Sequence, residues 1–358
     1  MSRIKCKLSG VVKFGNGKTR PKIEGNFPIY GGNGILGYTS ETNYYGETIV
    51  LGRVGAYCGA VYYEDKPIWI SDNALSAKPK NNNNAKYLYY FLKNLDLNQF
   101  ALGSSHPLIT QTLLNSIEIE LSKEESEQKA IASVLSSLDD KIDLLHRQNK
   151  TLEAMAETLF RQWFIEEADD SWEVGKLPDE FNFTMGVSPP GNTYNEDKIG
   201  FPMYQGNADF EFRFPKRRVY TTDPKRFAEK YETLVSVRAP VGAQNMALEK
   251  CCIGRGVAAF KYKSDNSHYT YTYFKLKSLM EEIKQFNETG TVFGSISKGD
   301  FEDLVITIPP PKLVDKFQSE VKSIDDKVII NSFQITTLEK LRDTLLPKLM
   351  SGEVRVCH

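Results

Sequence analysis

The sequence contains two copies of one unit, and this internal repeat is the feature that most restricts how the chain can fold. The stretch TLEAMAETLF, which begins at Thr151, returns as TLEKLRDTLL from Thr337, 186 residues later. SLDDKID from Ser137 and SIDDKVI from Ser323 repeat with the same separation. Because such self-similarity marks one structural unit used twice, we expect a pseudo-twofold molecule with the same architecture in both halves.

The repeat covers almost the whole chain, although its copies differ in loop length. Each copy opens with short runs of β-branched and aromatic residues between Gly, Pro and Asn turns, which predict strands. Each copy closes with a charged, glycine-free run that predicts a long helix. Three further pairs of matching stretches are FPIYGGN from Phe27 with FPMYQGN from Phe201, TIVLGRVGA from Thr48 with TLVSVRAPVGA from Thr233, and GSSHPLITQTLLNSIEIEL from Gly103 with GTVFGSISKGDFEDLVITI from Gly290.

These changes in composition divide the chain into four segments. We predict a first globular domain at residues 1–122, a central helical spacer at 123–168, a second globular domain at 169–308 and a C-terminal helical spacer at 309–358. The predicted fold class is α/β (α+β), with two mixed globular domains and two long helices. The net charge of the whole chain is −1, so any basic surface must be local.

Both helical segments, from Glu124 to about Ile165 and from about Lys312 to Met350, carry a coiled-coil seam. Their seam residues alternate at spacings of four and three positions, the a and d pattern of a coiled coil. One such helix alone would leave its apolar stripe in water, and the simplest partner is the helix of the other copy. The seam residues are Ile131, Leu135, Leu138, Ile142, Leu145, Asn149, Leu152, Ala156, Leu159 and Trp163, and then Phe317, Val321, Ile324, Val328, Asn331, Ile335, Leu338, Arg342, Leu345 and Leu349.

Two polar residues in the seams, Asn149 and Asn331, indicate a register for this pair. Antiparallel packing with Ile131 level with Leu349 places both asparagines in one layer. Facing amides there would satisfy each other and fix the alignment of the helices. The alternative is that each helix packs separately on its own domain.

Composition also restricts the cellular setting. No stretch approaches the roughly 20 apolar residues of a membrane helix, and MSRIKCKLSG lacks the apolar core of a signal peptide. We therefore expect a soluble, cytoplasmic protein. The cysteines lack C-x-x-C spacing, which favours buried, reduced thiols over metal sites; they are Cys6, Cys58, Cys251, Cys252 and Cys357.

No complete catalytic motif is found in the sequence. SPPG from Ser188 has neither the Asn nor the aromatic residue of the N-P-P-Y loop that holds a flipped adenine in methyltransferases. FGNGKTR from Phe14 imitates a phosphate-binding loop, but that motif requires glycine where Val12 stands. The four histidines have no clustered carboxylate or cysteine partner. We expect a non-catalytic chain with no cofactor and no metal.

Several stretches together resemble the specificity subunits of type I restriction-modification systems, over nearly the whole chain. The resemblance implies that each globular domain is a target recognition domain that reads one half of a bipartite DNA sequence. It also implies that the helices set the spacing between the half-sites and dock the modification (adenine methyltransferase) subunits and a restriction/translocase subunit, which perform the catalysis. The stretches are FPIYGGNGILGYT from Phe27, VRAPVG from Val237 with CCIGRGVAAF from Cys251, LPDEFNFTMGVSPPGNTYNED from Leu177, FRQWF from Phe160 and LRDTLLPKLMSGEV from Leu341.

A DNA-reading surface needs cations for the phosphates and planar donors for the base edges. Arg53 and Arg238 occupy equivalent positions in the two copies, beside glycine-containing turns that would let the backbone approach a groove. The predicted DNA-binding residues are Lys18, Arg20, Lys22, Arg53 and Tyr57 in the first domain, and Lys216, Arg217, Arg218, Tyr220, Lys225, Arg226, Arg238, Gln244 and Asn245 in the second.

The alternative function is that of a non-catalytic, two-headed scaffold that binds protein partners at a fixed separation. The two domains differ most in their basic loops. This difference favours two DNA half-sites, since a symmetric scaffold would keep its two surfaces alike. Because the net charge is close to zero, we expect the isolated chain to bind DNA poorly and to rely on its partners for phosphate contacts.

Overall fold

The computed structural model describes residues 3–103, 107–287 and 294–356. The chain divides into two compact units, which we call the first unit (residues 1–143 and 336–358) and the second unit (residues 144–335). Each unit therefore combines a globular domain with segments of both long helices.

The first unit contains two larger sheets and one pair of strands. One antiparallel sheet has the strand order β2-β8-β5-β6, a second has the order β4-β3-β7 with β3 and β7 parallel, and β1 pairs with β9. The elements are β1 (Arg3–Lys7), β2 (Val12–Asn16), β3 (Phe27–Gly31), β4 (Gly34–Thr39), β5 (Thr48–Gly52), β6 (Val61–Glu64), β7 (Trp69–Ile70), β8 (Ala74–Pro79), α1 (Ala85–Asn94), α2 (Gln111–Ser116), β9 (Glu118–Ser122) and the start of the long helix α3 (Glu125–Arg161).

Helix α1 packs against the four-stranded sheet of the first unit. Its N-terminus is capped by Asn84, whose side chain accepts a hydrogen bond from the backbone N–H of Tyr87. Tyr87, Leu88 and Phe91 are buried and join Ile49 of the central strand β5 in one hydrophobic core. The amphipathic pattern of the helix thus determines which of its faces covers the sheet.

The second unit repeats this arrangement with extra strands. Its sheets have the orders β11-β19-β16-β17 and β12-β14-β13-β18-β15, and β10 pairs with β20. Its elements are β10 (Glu173–Lys176), α4 (Leu177–Glu180), β11 (Phe181–Met185), β12 (Tyr194–Asn195), β13 (Phe201–Tyr204), β14 (Val219–Thr221), β15 (Phe227–Ala228), β16 (Thr233–Ser236), β17 (Gln244–Met246), β18 (Cys251–Ile253), β19 (Val257–Tyr262), α5 (Tyr269–Ser278), α6 (Met280–Lys284), α7 (Lys298–Asp303), β20 (Val305–Ile308) and the start of the long helix α8 (Pro311–Ser351).

The internal repeat predicted from the sequence is confirmed by the strand topology. The four-stranded sheets of the two units have the same order and are antiparallel throughout. In each unit the second sheet contains one parallel pair, β3 with β7 and β13 with β18, formed by the equivalent FPIY and FPMY stretches. The copies differ in that second sheet, where β12 and β15 have no counterpart among the described strands of the first unit.

Both long helices lie close to their predicted bounds and pack antiparallel within each unit. In the first unit, Ile131 shares a core with Leu349, and Arg342 forms an ion pair with Asp139 at 2.8 Å. In the second unit, α3 ends in a π-helical turn at Gln162–Glu166, where the Trp163 and Phe317 rings lie 5.9 Å apart. The prediction that the helices of the two copies pair is confirmed, and separate packing of each helix is excluded.

The two seam asparagines are buried, but they do not bond to each other. Asn149 is 1% exposed and Asn331 is 0% exposed. The Asn149 amide donates to Ser332 Oγ at 3.4 Å, whereas both amide atoms of Asn331 lack a hydrogen-bond partner among the described residues. The expected amide pair is therefore wrong: Asn149 donates to the residue next to Asn331 on α8, and Asn149 Oδ1 also lacks a partner among the described residues.

The C-terminal end of α8 completes the first unit. Leu346 and Leu349 lie in the same core as Leu135 of α3. The Arg3 guanidinium donates to the carbonyl oxygen of Met350 at 2.7 Å, so the first described strand is bonded to the last helix. The first unit is thus built from both ends of the chain.

The predicted thiols and the predicted lack of membrane spans can also be compared with the structure. Cys58, Cys251 and Cys252 are buried free thiols and Cys6 is half-buried, while Cys357 lies outside the described residues. No helix within the described ranges is long and apolar enough to cross a membrane. The same ranges contain no cluster of His, Cys, Asp or Glu that would hold a metal ion.

Replacing Asn331 with leucine should stabilise the chain. The substitution removes a buried amide whose polar atoms have no partner, which costs about 1–3 kcal/mol in a folded protein. We expect Asn331→Leu to raise the free energy of unfolding by about 1 kcal/mol or more, measured by urea denaturation. Asn149→Leu is the matched control and should gain less, since it also loses the bond to Ser332. A fall in stability for Asn331→Leu would show that the amide has a stabilising role.

Candidate nucleic-acid interface

The first unit presents an exposed hairpin formed by β3 and β4. Ile35, Leu36 and Tyr38 are exposed on this hairpin. A side chain at Gly37 would place its Cβ 2.6 Å from Nη2 of Arg20, so glycine allows this guanidinium to lie directly on the hairpin. The hairpin therefore combines an apolar surface with a cation.

A turn after β5 lies beside the hairpin tip. A Cβ at Gly52 would lie 2.3 Å from the carbonyl oxygen of Tyr57 and 2.8 Å from that of Gly32, so only glycine lets the turn and the tip meet. The Arg53 backbone N–H donates to the carbonyl oxygen of Asn73 at 3.0 Å, and the Tyr57 side chain is 52% exposed. The structure thus brings Arg53 and Tyr57 next to the hairpin.

The hairpin is supported from below by two tyrosines. Burial and the nearby Glu64 carboxylate raise the pKa of Tyr30, so its hydroxyl stays protonated and donates to Glu64 Oε2 at 3.3 Å. The Tyr62 hydroxyl donates to the carbonyl oxygen of Gly32 at 3.4 Å, and burial raises its pKa as well. These bonds fix the hairpin tip on the sheet.

The predicted cations of the first unit have no acidic partner. Among the described residues, no carboxylate lies within 4.0 Å of the charged groups of Lys18, Arg20, Lys22 or Arg53. The first three side chains are exposed and Arg53 is half-buried. Their charges are therefore available to a polyanion.

In the second unit, the basic run lies on a loop between β13 and β14 that is fixed by Asp209. The Asp209 carboxylate is 5% exposed and accepts hydrogen bonds from the Gln205 backbone N–H at 2.7 Å and from Arg218 Nε at 3.1 Å. Its carbonyl oxygen accepts from the backbone N–H of Lys216 at 2.7 Å. One buried residue thus holds both ends of the loop.

The other predicted cations of this unit divide into two groups. Arg217 and Lys225 form ion pairs with neighbouring acidic residues. Arg226 and Arg238, like Lys216, are exposed and have no carboxylate within 4.0 Å among the described residues. Because exposed ion pairs contribute about 0–1 kcal/mol, even the paired cations can exchange their partner for a phosphate.

A concavity of about 500 Å³ brings Arg218 together with two residues that the sequence analysis missed. Gln205 and Asn207 line it and are exposed, and Pro240 lines it from the turn that carries Arg238. Amide side chains can donate to and accept from base edges at once. This concavity therefore combines one cation, Arg218, which is paired with Asp209, with amide groups suited to reading bases.

Arg255, in the turn between β18 and β19, is a further missed residue. Its side chain is exposed, and its backbone N–H donates to Ser188 Oγ at 3.2 Å. Gln205 and Arg255 stand where the first copy has Gly31 and Asp72. Both positions differ in residue type between the two aligned copies of the repeat, and a comparison of the copies would have identified both residues.

Three predicted DNA-binding residues do not lie on this surface. Tyr220 is buried in β14, and Gln244 donates its amide N–H to the carbonyl oxygen of Tyr273 at 2.7 Å. Asn245 is 0% exposed and donates to the carbonyl oxygen of Glu211 at 2.6 Å. The prediction that Asn245 contacts DNA is wrong, because its side chain is fully buried and its amide bonds to the backbone of Glu211. These three residues support the surface from within.

Comparison with known proteins places this architecture in one family. The family model described as type I restriction modification DNA specificity domain matches residues 5–154 and 169–340, one match for each copy of the repeat. The chain therefore belongs to the family of type I restriction-modification specificity subunits. The resemblance seen in the sequence is confirmed.

Individual relatives agree with this assignment. A putative type I restriction enzyme MjaX specificity subunit from Methanocaldococcus jannaschii is 32% identical over 318 residues, which are 82% of this chain and 74% of that protein. The MjaIX specificity subunit of the same organism is 29% identical over 333 residues, 83% of this chain and 76% of that protein. The crystal structure of an S subunit from M. genitalium has the same fold, with a TM-score of 0.68, 22% identity and coverage of 98% and 96% of the two chains.

Replacing Asp209 should loosen the basic loop of the second unit. Asp209→Ala removes the acceptor of the part-buried hydrogen bond from the Gln205 N–H, and we expect it to lower the free energy of unfolding by about 1–3 kcal/mol in urea denaturation. Asp209→Asn keeps an acceptor oxygen and should lose less. Equal stability of the alanine variant and the wild type would contradict the role given to this carboxylate.

Proposed function

We propose that this chain is the DNA-recognition subunit of a type I restriction-modification complex and that each unit binds one half of a bipartite, asymmetric target. The observation that carries the proposal is that the two units share a framework and differ in their exposed loops. Strand order is the same in both four-stranded sheets, whereas Gln205 and Arg255 replace Gly31 and Asp72. Two readers of different half-sites require this combination.

The faces themselves are suited to DNA. The hairpin of the first unit offers apolar side chains beside Arg20, and apolar groups recognise the thymine methyl in the major groove. In the second unit, Lys216, Arg226 and Arg238 supply unpaired cations for phosphates, and Gln205 supplies an amide for a base edge. We infer that these residues act together in recognition.

Catalysis, in this proposal, belongs to partner subunits. Methyltransferase subunits transfer a methyl group from S-adenosylmethionine to adenine, and a translocating restriction subunit cleaves the DNA. The chain supplies recognition of the target sequence and a docking surface on its long helices. Because its net charge is only −1, much of the phosphate contact in the complex would come from the partners.

Mapping of methylated adenines tests the function directly. The chain is co-expressed with its cognate modification subunits, and methylated adenines are located across the host genome. We expect a split motif, two short sequences separated by a constant gap, that disappears when the chain is omitted. Methylation without sequence preference, or none at all, would overturn the proposal and favour the protein-binding scaffold.

Lengthening the helices should change the gap and leave the bases read unchanged. One heptad inserted into both α3 and α8 keeps the seam in phase and adds about 10 Å, or about three base pairs of duplex. We expect the mapped motif to keep both halves and to gain a longer gap. Seven residues inserted in the exposed loop between Asp265 and Asn266 are the control and should leave the gap unchanged. A new base identity in either half would contradict the proposal.

A further inference from the structure

A single arginine connects the basic loop of the second unit to both long helices. Arg213 is among the largest fully buried side chains of the protein, at 1% exposure. Its Nη2 lies 3.0 Å from Asp325 Oδ1 on α8 and 3.6 Å from Glu153 Oε2 on α3. The guanidinium carbon lies 3.9 Å from the centre of the Tyr273 ring on α5. Contacts with three helices hold this one group.

The loop that carries Arg213 also carries the basic run three residues further on. The carbonyl oxygen of Arg213 accepts from the backbone N–H of Met246 at 3.0 Å, and that of Glu211 accepts from the Asn245 amide at 2.6 Å. The Phe214 ring is buried and lies 6.1 Å from the Phe333 ring on α8. The loop is therefore held by β17 on one side and by α8 on the other.

The chemistry of this contact requires arginine. A guanidinium is planar, so it stacks on an aromatic ring while its edge faces carboxylates, and a lysine ammonium cannot do both. Burial raises the pKa of Asp325, and the positive charge of Arg213 opposes this rise. Glu153 has a second cation, Lys277, at 2.6 Å. If Arg213 were removed, Glu153 would keep Lys277 as a partner, whereas Asp325 would lose the cation that faces it.

The first copy of the repeat shows what is specific to this arrangement. The repeat aligns Asp325 with Asp139, which pairs with Arg342 at 2.8 Å and accepts from the Tyr90 hydroxyl at 2.6 Å. Both copies thus place a carboxylate with an arginine at the same position of a long helix. In the first unit the carboxylate lies on α3 and its arginine lies on the paired helix α8. In the second unit the carboxylate lies on α8 and its arginine comes from the loop that leads to Lys216.

We propose that Arg213 is a positioning residue for the second half-site: it fixes the orientation of the Lys216–Arg218 run on the helix pair and so determines how tightly that half-site is recognised. This inference rests on the proposed function. Arg213 itself is buried and does not touch DNA. It acts on recognition by holding the loop that carries the Lys216–Arg218 run.

The test separates positioning from simple loss of stability. Arg213→Met alone leaves the buried carboxylate of Asp325 unpaired and is expected to unfold at a lower temperature. Arg213→Met with Asp325→Asn removes both charges, so its melting temperature should recover most of that loss while the loop still lacks the guanidinium contacts with α3, α8 and α5. Each variant is purified with the modification subunits, and initial methylation rates are measured on duplexes that carry the mapped split motif.

Three duplexes show where the effect lies: the intact target, one with the first half-site scrambled and one with the second scrambled. For the double variant we expect a rate on the intact target at least tenfold below wild type. Its preference for an intact second half-site should fall at least tenfold, and its preference for an intact first half-site should stay within twofold. The matched control, Arg342→Met with Asp139→Asn, removes the equivalent pair and should leave both preferences unchanged.

Two results with the double variant would overturn the inference while leaving the proposed function in place. A folded double variant with wild-type rate and wild-type preference for the second half-site would show that Arg213 only neutralises Asp325. Equal loss of both preferences would show a general defect rather than a positioning role. A wild-type complex without any split motif would remove the proposed function, and this inference with it, before any variant is compared.

Discussion

The apolar seam of the long helices is the constraint on which the rest of the structure depends. A helix of 37 or 41 residues with a continuous a/d stripe cannot remain single in water. Antiparallel pairing covers the stripe, and it requires α8 to run alongside α3 in the opposite direction. The last residues therefore pack beside the first strands, and each unit contains parts of both helices. Everything attached to the helices, including the loop of Arg213, takes its position from this pairing.

Much of this fold could be predicted, because the signals lie in the sequence itself. The seam predicted both helices to within a few residues, and the repeat predicted that the two sheets would share one topology. The hydrogen bonds inside the seam could not be predicted. Whether Asn149 bonds to Asn331 or to Ser332 depends on rotamers and on the rotation of each helix, which the heptad pattern leaves open.

The candidate interface was less predictable for a similar reason. Charged residues in turns were expected on the surface, and Lys216, Arg226 and Arg238 lie there. Asn245 follows a turn too, but Glu211, which is distant in sequence, covers it. Burial of a polar side chain depends on such long-range contacts, and no local pattern records them. Arg213 shows the opposite case, since an arginine in a basic loop is usually solvated and this one is enclosed by three helices.

The contact between Arg3 and Met350 has a consequence for how the chain folds during synthesis. The second unit consists of one uninterrupted segment, residues 144–335, so all of its residues are synthesised before residues 336–358. The first unit, although its synthesis begins first, lacks its final helical segment until residues 336–358 are made. Domains usually fold in the order of translation. Here the N-terminal unit is finished last, and until then its core, including Leu135, is without the leucines that complete it.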